Sequence, residues 1–316
     1  MNKETNTQEK FKTMIGGQAL IEGILMQGPK KKSIVVRGPE GLVVKTEPLK
    51  APKDRYPILG WPLIRGVVNF GGSMVNGVKA LMYSASFFPE EEDTQPSKFD
   101  QWLEDKIGSE KMEKLVIYVA AVLGIAFSVG LFILLPTFLA GVVPGIHGNY
   151  LLRNLVEGFL KIFLFLGYMI LISRMKDMRR VFSYHGAEHK TIRCYEARLP
   201  LTVENVRPMT RLHPRCGTSF LLVVICISIL CGTLIRADNT FVRMGLHLLM
   251  LPVIVAISYE FNRLVGRYNN GLTRILTAPG MWMQHFTTNE PDDSMIEVAI
   301  RALEEVIPEE AGTDQW

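Results

Sequence analysis

Charged residues are scarce in this chain of 316 residues, where Asp, Glu, Lys and Arg make up only 21% against 48% hydrophobic residues. This balance excludes an ordinary soluble domain of this length, and it also excludes a bare bundle of membrane helices. The net charge is only +4. The basic residues lie beside apolar segments, which favours contact with lipid headgroups over specific recognition of nucleic acid. We therefore expect a membrane part joined to parts that face water, with the lipid bilayer as a partner.

Cysteine is also rare, and the four cysteines form no disulfide framework. Cys226 and Cys231 lie inside an apolar run and are expected to pack as small residues, whereas Cys194 and Cys216 suit a reducing cytosol. The first twelve residues, MNKETNTQEKFK, are polar and no apolar segment follows them directly. We therefore expect no cleavable signal peptide.

Residues 1–57 are predicted to form a small β-rich unit in the cytoplasm. Two runs rich in β-branched residues, 33–36 and 42–46, flank the sequence Gly38-Pro39-Glu40-Gly41, which predicts a hairpin. A glycine-rich apolar segment, GGQALIEGILMQGPK, precedes this hairpin.

Residues 58–114 are predicted to form an interfacial or re-entrant helical segment, expected as a helix pair over 58–88, followed by an acidic linker. The helical part is moderately hydrophobic, but it carries polar residues that would be costly in hydrocarbon, namely Arg65, Asn69, Asn76 and Lys79. A buried helix pair in a water-facing subdomain is the alternative interpretation.

Residues 115–265 are predicted to form a membrane domain with four spans at 115–143, 155–173, 218–235 and 241–259. Each span must be helical, because backbone groups in lipid need partners within their own segment. The loop 174–217 carries ten Lys and Arg residues, so the positive-inside rule places it and both termini in the cytoplasm. Residues 266–316 are predicted to be a cytoplasmic tail that ends in an amphipathic helix beginning near Pro291. The predicted fold is thus mainly α, a four-helix transmembrane bundle of the cell membrane with a small β-rich unit.

The loop 174–217 contains the candidate metal ligands. His185, Glu188 and His189 have the spacing i, i+3, i+4, which puts all three side chains on one face of a helix. The sequence HGAEH also fits the H-x-x-E-H pattern of inverted zinc proteases, in which the Glu acts on the water bound to the metal. The alternative is a solvated helix whose histidines have no common role.

His213 and Cys216 lie three residues apart, immediately before the predicted third span. A helix over residues 184–197, ended by Leu199-Pro200, would let the returning chain bring both clusters to the same depth. His185, His189, His213 and Cys216 are therefore candidate ligands, with Glu188 as the candidate catalytic base. Nitrogen and sulfur donors favour zinc over magnesium or calcium. Alternatively, His213 caps a turn before Pro214 and Cys216 packs under the span.

Several segments, taken together, extend over nearly the whole chain and resemble the bacterial DUF1385 family: GGQALIEGILMQGP, HGAEHKTIRCYE, LTVENVRP, HPRCGTSF and EPDDSMIEVAI. The resemblance implies a multi-pass membrane protein and a predicted metal-dependent enzyme without an established substrate. The motif of the family falls here on His185, Glu188, His189, His213 and Cys216.

Two functions fit these residues. The first is a zinc hydrolase in which His185, His189 and one of His213 or Cys216 bind the metal, and which acts on a lipid-linked or membrane-peptide substrate. The second is a non-catalytic membrane factor in which all four ligands close a structural zinc site. Its basic face would dock a ribosome, a membrane-protein insertion machine or another integral protein. A transporter is less favoured, because the spans contain few charged residues or broken helices.

Overall fold

The computed structural model describes residues 11–88, 108–146, 148–268, 270–310 and 312–315. The chain divides into two compact units, the first made of residues 1–87, 169–224 and 255–316 and the second of residues 88–168 and 225–254. The acidic linker expected before residue 114 lies, up to residue 107, outside the described residues.

The N-terminal segment forms an antiparallel sheet with the strand order β1-β2-β3-β4. The predicted hairpin is confirmed, since β3 and β4 pair from Lys31↔Pro48 to Gly38↔Gly41. The glycine-rich segment before it, for which no strand was predicted, forms another hairpin whose turn contains Glu22 at a φ of 49°. The strands are β1 (Gly16–Leu20), β2 (Gly23–Gln27), β3 (Lys31–Gly38) and β4 (Gly41–Pro48).

The rest of the described chain is mainly helical. A 3₁₀ turn, Pro57–Gly60, precedes α2, and a π-helical turn, Gly130–Leu134, joins α3 to α4. The helices are α1 (Pro52–Arg55), α2 (Ile64–Ala85), α3 (Ser109–Val129), α4 (Leu135–Val142), α5 (Tyr150–Ser173), α6 (Lys176–Glu196), α7 (Val203–Val206), α8 (Gly217–Gly232), α9 (Thr240–Arg267), α10 (Gly271–Thr287) and α11 (Asp293–Glu304).

The core of the first unit joins the sheet to α6 and α11. The predicted amphipathic helix is confirmed as α11, where the Asp292 side chain accepts a hydrogen bond from the Met295 N–H at 3.0 Å. Its apolar face is buried rather than free, so the end of the chain belongs to this core. The buried members include Ile24, Met26 and Val35 of the sheet, Tyr184, Ala187 and Ile192 of α6, and Met295, Val298, Ala299 and Leu303 of α11.

Residues 64–85 form the single helix α2 rather than the expected pair. Two of its polar side chains have partners within the first unit, because Arg65 Nε donates to Glu260 at 2.7 Å and Asn69 donates to the Tyr259 hydroxyl at 2.8 Å.

Three helical segments among the described residues are long and apolar enough to cross a membrane: Tyr118–Val142, Tyr150–Ser173 and Thr240–Arg267. These helices suggest a membrane-associated protein. The predicted third span corresponds to α8, which has only 16 residues. At 1.5 Å per residue α8 is about 24 Å long, against a hydrocarbon core of about 30 Å. Helix length therefore gives three candidate spans and not clearly four.

A buried polar network lies inside the second unit. The carboxylate of Glu157 accepts from Arg243 Nε at 2.6 Å and lies 3.0 Å from His247 Nε2, and all three residues are at most 2% exposed. Arg153 Nε lies 3.5 Å from the same carboxylate, and Lys161 is buried as well. Arg153, Glu157 and Lys161 belong to α5, and Arg243 and His247 belong to α9. Their spacing of four residues along α5 and along α9 puts them on facing sides of the two helices.

Candidate metal centre

The helix α6 carries His185, Glu188 and His189. It begins three residues after α5 ends and includes most of the helix predicted over 184–197. The chain leaves α6 at Arg198, which adopts a left-handed φ of 56°, and Pro200 cannot continue a helix. His185, Glu188 and His189 therefore lie on one face, as their spacing predicted.

His185, His189 and Cys216 form one group in which the ligand atoms all lie within 4.8 Å of one another. His185 Nε2 is 3.2 Å from Cys216 Sγ, and the two imidazole rings are 4.4 Å apart between centroids. His189 and Cys216 are only 1% and 5% exposed; His185 is half-buried as a residue, but its ring is enclosed in the group. This group could hold a metal ion.

Backbone carbonyls fix the orientation of both imidazoles. His185 Nδ1 lies 2.8 Å from the Thr287 carbonyl oxygen, and His189 Nδ1 lies 2.6 Å from that of Arg211. A carbonyl only accepts, so each Nδ1 carries a proton, and Nε2 is the nitrogen of each ring that is left to bind a metal. Metal-binding histidines are usually held by such a second hydrogen bond.

The charges in the group favour a thiolate. Burial raises the pKa of the Cys216 thiol, but the imidazoles of His185 and His189 outweigh burial and hold this pKa well below its usual value. Burial lowers the pKa of His185, yet the neighbouring sulfur more than offsets this and raises it to about 9. The sulfur and the His185 ring thus favour each other's charged forms, and a metal ion bound at His185 Nε2 would replace the proton there.

Glu188 is held from the N-terminal sheet. One of its carboxylate oxygens accepts from the Gly17 N–H at 2.9 Å, while Oε2 is buried and has no hydrogen-bond partner among the described residues. Burial raises the pKa of Glu188. A Cβ at Gly17 would lie 2.7 Å from the Leu25 carbonyl oxygen, so only glycine fits where β1 approaches this carboxylate. The glycine-rich motif thus contributes to the site, a role that no local pattern of residues indicates.

His213 lies beside the group without joining it. Its ring centroid is 5.5 Å from that of His189, but its Nε2 faces Glu196 Oε2 at 3.4 Å, next to Arg215. Gln284 holds its backbone through two hydrogen bonds of 2.7 Å. Burial lowers the pKa of His213 to about 4, so its ring is neutral at neutral pH. Within the described residues the structure therefore brings three of the four predicted ligands together and leaves the fourth adjacent.

Replacing Gly186 by Ala is expected to weaken metal binding about 10- to 100-fold, the usual effect of losing a hydrogen bond that orients a ligand. A Cβ at this position would lie 2.0 Å from the Asn289 carbonyl oxygen. The segment 287–289, at the end of α10, would therefore move off α6 and withdraw the Thr287 carbonyl from His185. Competition with a chromophoric chelator measures the affinity. The matched control is Gly72→Ala in α2, where a Cβ meets nothing within 4 Å; equal affinities in both variants would contradict the role of Thr287.

Comparisons with known proteins agree on one family. The profile described as "Protein of unknown function (DUF1385)" matches residues 61–309, a range that contains the three grouped ligands, Glu188 and His213. The "Uncharacterized protein YqhQ" of Bacillus subtilis (strain 168) is 34% identical over 318 residues, covering 98% of this chain and 97% of that protein. No solved structure matches this chain.

Proposed function

Because this chain belongs to the DUF1385 family, whose description assigns no activity, we propose from its site that it is a zinc-dependent hydrolase of the cell membrane acting on a membrane-associated substrate. One observation supports this proposal above the others. Both imidazoles direct Nδ1 at a backbone carbonyl oxygen. The ligand atoms of His185, His189 and Cys216 all lie within 4.8 Å of one another. Two imidazoles and one thiolate are a donor set that suits zinc.

The residues around the group fit hydrolysis. A zinc ion held there would polarise a substrate oxygen and lower the pKa of a water molecule. Three protein ligands leave one position of a tetrahedral site open, as in catalytic zinc centres. Glu188, whose Oε2 has no partner among the described residues, takes the proton of the attacking water and returns it to the leaving group. Gly17 holds the other oxygen of this carboxylate in place.

The second candidate is a structural zinc site in a non-catalytic membrane factor that docks a ribosomal or integral-membrane partner. The proximity of His213 favours it, because this neutral ring lies 5.5 Å from that of His189. A rotation of His213 away from Glu196 would supply a fourth ligand and close the site.

Cobalt substitution separates the two candidates. In the hydrolase, cobalt(II)-loaded protein is expected to show a thiolate charge-transfer band that disappears in Cys216→Ser, and azide is expected to change the visible bands by entering the open position. Glu188→Gln should keep the metal and the charge-transfer band, because Glu188 is not a ligand. Visible bands that do not change when azide is added, but that do change in His213→Ala, would instead indicate the closed structural site.

We further propose four spans, with α8 as the third and both termini in the cytoplasm. The ten basic residues between α5 and α8 support this orientation. Topology reporters fused after Arg174 and at the C-terminus are expected to report the cytoplasm, and one fused after Asn149 the outside. If α8 does not cross, the chain has three spans, and the C-terminal reporter will lie on the side opposite to the one after Arg174.

A further inference from the structure

A basic cleft of about 600 Å³ lies on α6 in the first unit, next to the candidate metal centre. Four cationic side chains line it, together with two neutral hydrogen-bonding residues: Lys176, Arg179, Arg180, Arg211, Ser183 and Asn289. Neither the three grouped candidate ligands nor Glu188 line the cleft. The proposed hydrolase chemistry therefore leaves its purpose unexplained.

The cleft carries more positive charge than its neighbours neutralise. Arg180 is paired with Glu22, and the acidic residue of the cleft wall, Glu290, is paired with Lys190. Within the described part of the chain, Lys176, Arg179 and Arg211 form no ion pair with a carboxylate. Three guanidinium or ammonium groups thus face one cleft without a counter-charge, which favours an anionic ligand.

The start of α6 adds to this preference. The helix begins at Lys176, and its N-cap residue, Met175, supplies no side-chain acceptor for the N–H groups of the first turn. Asp177, the acidic residue of that turn, is not among the residues lining the cleft. The positive end of the helix dipole therefore lies beside the basic side chains, an arrangement that suits a phosphate group.

Arg211 and the segment 287–289 separate the cleft from the His–Cys group by one layer of backbone. The guanidinium of Arg211 donates to the Thr288 carbonyl, and its own carbonyl accepts from His189 Nδ1. Asn289, in the cleft wall, donates from its backbone to Phe182 at 2.8 Å, two residues after the Thr287 carbonyl that holds His185. Arg211 thus contributes to both, with its side chain to the cleft and with its carbonyl to the orientation of His189.

We propose that this cleft binds a phosphate group, and that the substrate of the hydrolase is a phosphate-bearing molecule. The second half of this statement rests on the proposed function, whereas phosphate binding itself does not. A phospholipid headgroup and a soluble phosphate ester share this chemistry. The lipid source fits the chain best, because Lys176 follows the candidate span Tyr150–Ser173 by three residues.

The test uses the full chain in detergent micelles with a fluorescent dioleoyl phosphatidic acid as the probe. The double variant Lys176→Gln/Arg179→Gln is expected to bind this lipid at least about tenfold more weakly, because two charge-assisted contacts are lost. The matched control, Lys53→Gln/Arg55→Gln, removes the same charge from the exposed helix α1 and should change binding less than about twofold. Equal weakening in both variants, or equal binding of dioleoylglycerol, overturns the proposal.

Inorganic phosphate and glycerol 3-phosphate distinguish the two sources. If either displaces the lipid at comparable concentrations, the site takes soluble phosphate esters; if neither does, the acyl chains contribute and the source is a lipid. The same titration on chelator-treated protein separates this inference from the proposed function. Lipid binding that persists in protein without metal supports the cleft as a phosphate site even if the hydrolase proposal fails. If the cobalt-loaded double variant keeps its visible spectrum but no longer binds the lipid, the cleft is supported as a substrate subsite of the enzyme.

Discussion

Replacing His189 by Ala is expected to lower the zinc content of the purified protein from about one equivalent per chain to below about a tenth of an equivalent. His189 is 1% exposed and is held by the Arg211 carbonyl, so its replacement removes a buried and oriented ligand from the group. With two ligands left, the group has too few donors for a tetrahedral site. Elemental analysis after purification without chelator measures the content.

His285→Ala is the matched control for this loss. His285 is exposed on α10, and its Nδ1 lies 2.9 Å from the Trp282 carbonyl oxygen of the same helix. This variant has the same change of composition and should keep its zinc. His213→Ala adds a third comparison, because an open three-ligand site keeps its zinc in that variant and a closed four-ligand site loses it. Wild-type protein without any transition metal would end the metal interpretation, and the group would then be a hydrogen-bonded network that fixes α6.

The ligand group could be predicted from the sequence because its signal is local. His185 and His189 are four residues apart on a segment with helical character, and Cys216 directly precedes an apolar helix, so both have a definite place along the chain. The role of Gly17 could not be predicted in this way. Its backbone N–H donates to a residue 171 positions away. Every residue except proline has such a group, so the residue type does not reveal this contact. The contacts of the Thr287 and Arg211 carbonyls with the two imidazoles could not be predicted for the same reason.

The fold shows the same division between local and long-range information. The β3–β4 hairpin and α11 follow from turn and capping residues that lie within a few positions of one another. The burial of α11 against the sheet does not, because an amphipathic face suits a membrane surface as well as a protein core. Average hydropathy also concealed the polar network of the second unit, since one charge every fourth residue hardly changes the mean of an apolar helix.

The consequence of that network can be measured directly. Replacing Glu157 by Leu is expected to lower the free energy of unfolding by about 3–5 kcal/mol, the usual cost of leaving a buried charge without its partner. Arg243 is 0% exposed and directs Nε and Nη2 at this carboxylate, at 2.6 and 3.3 Å, and Arg153 lies 3.5 Å away. In a site enclosed by apolar helices, water cannot replace the lost acceptor.

The double variant Glu157→Leu/Arg243→Met is the control that identifies the cause. Removing both charges takes away the unpaired charge of Arg243 but leaves Arg153 without this carboxylate, so part of the loss should be recovered. Unfolding of the full chain by a denaturing detergent in mixed micelles, followed by circular dichroism, gives both values under the same conditions. A single variant that loses less than about 1 kcal/mol, or a double variant that loses the sum of the two single substitutions, would mean that the pair does not act as a unit. The expected recovery would instead establish that Glu157 compensates the charge of Arg243, and that this compensation joins α5 to α9.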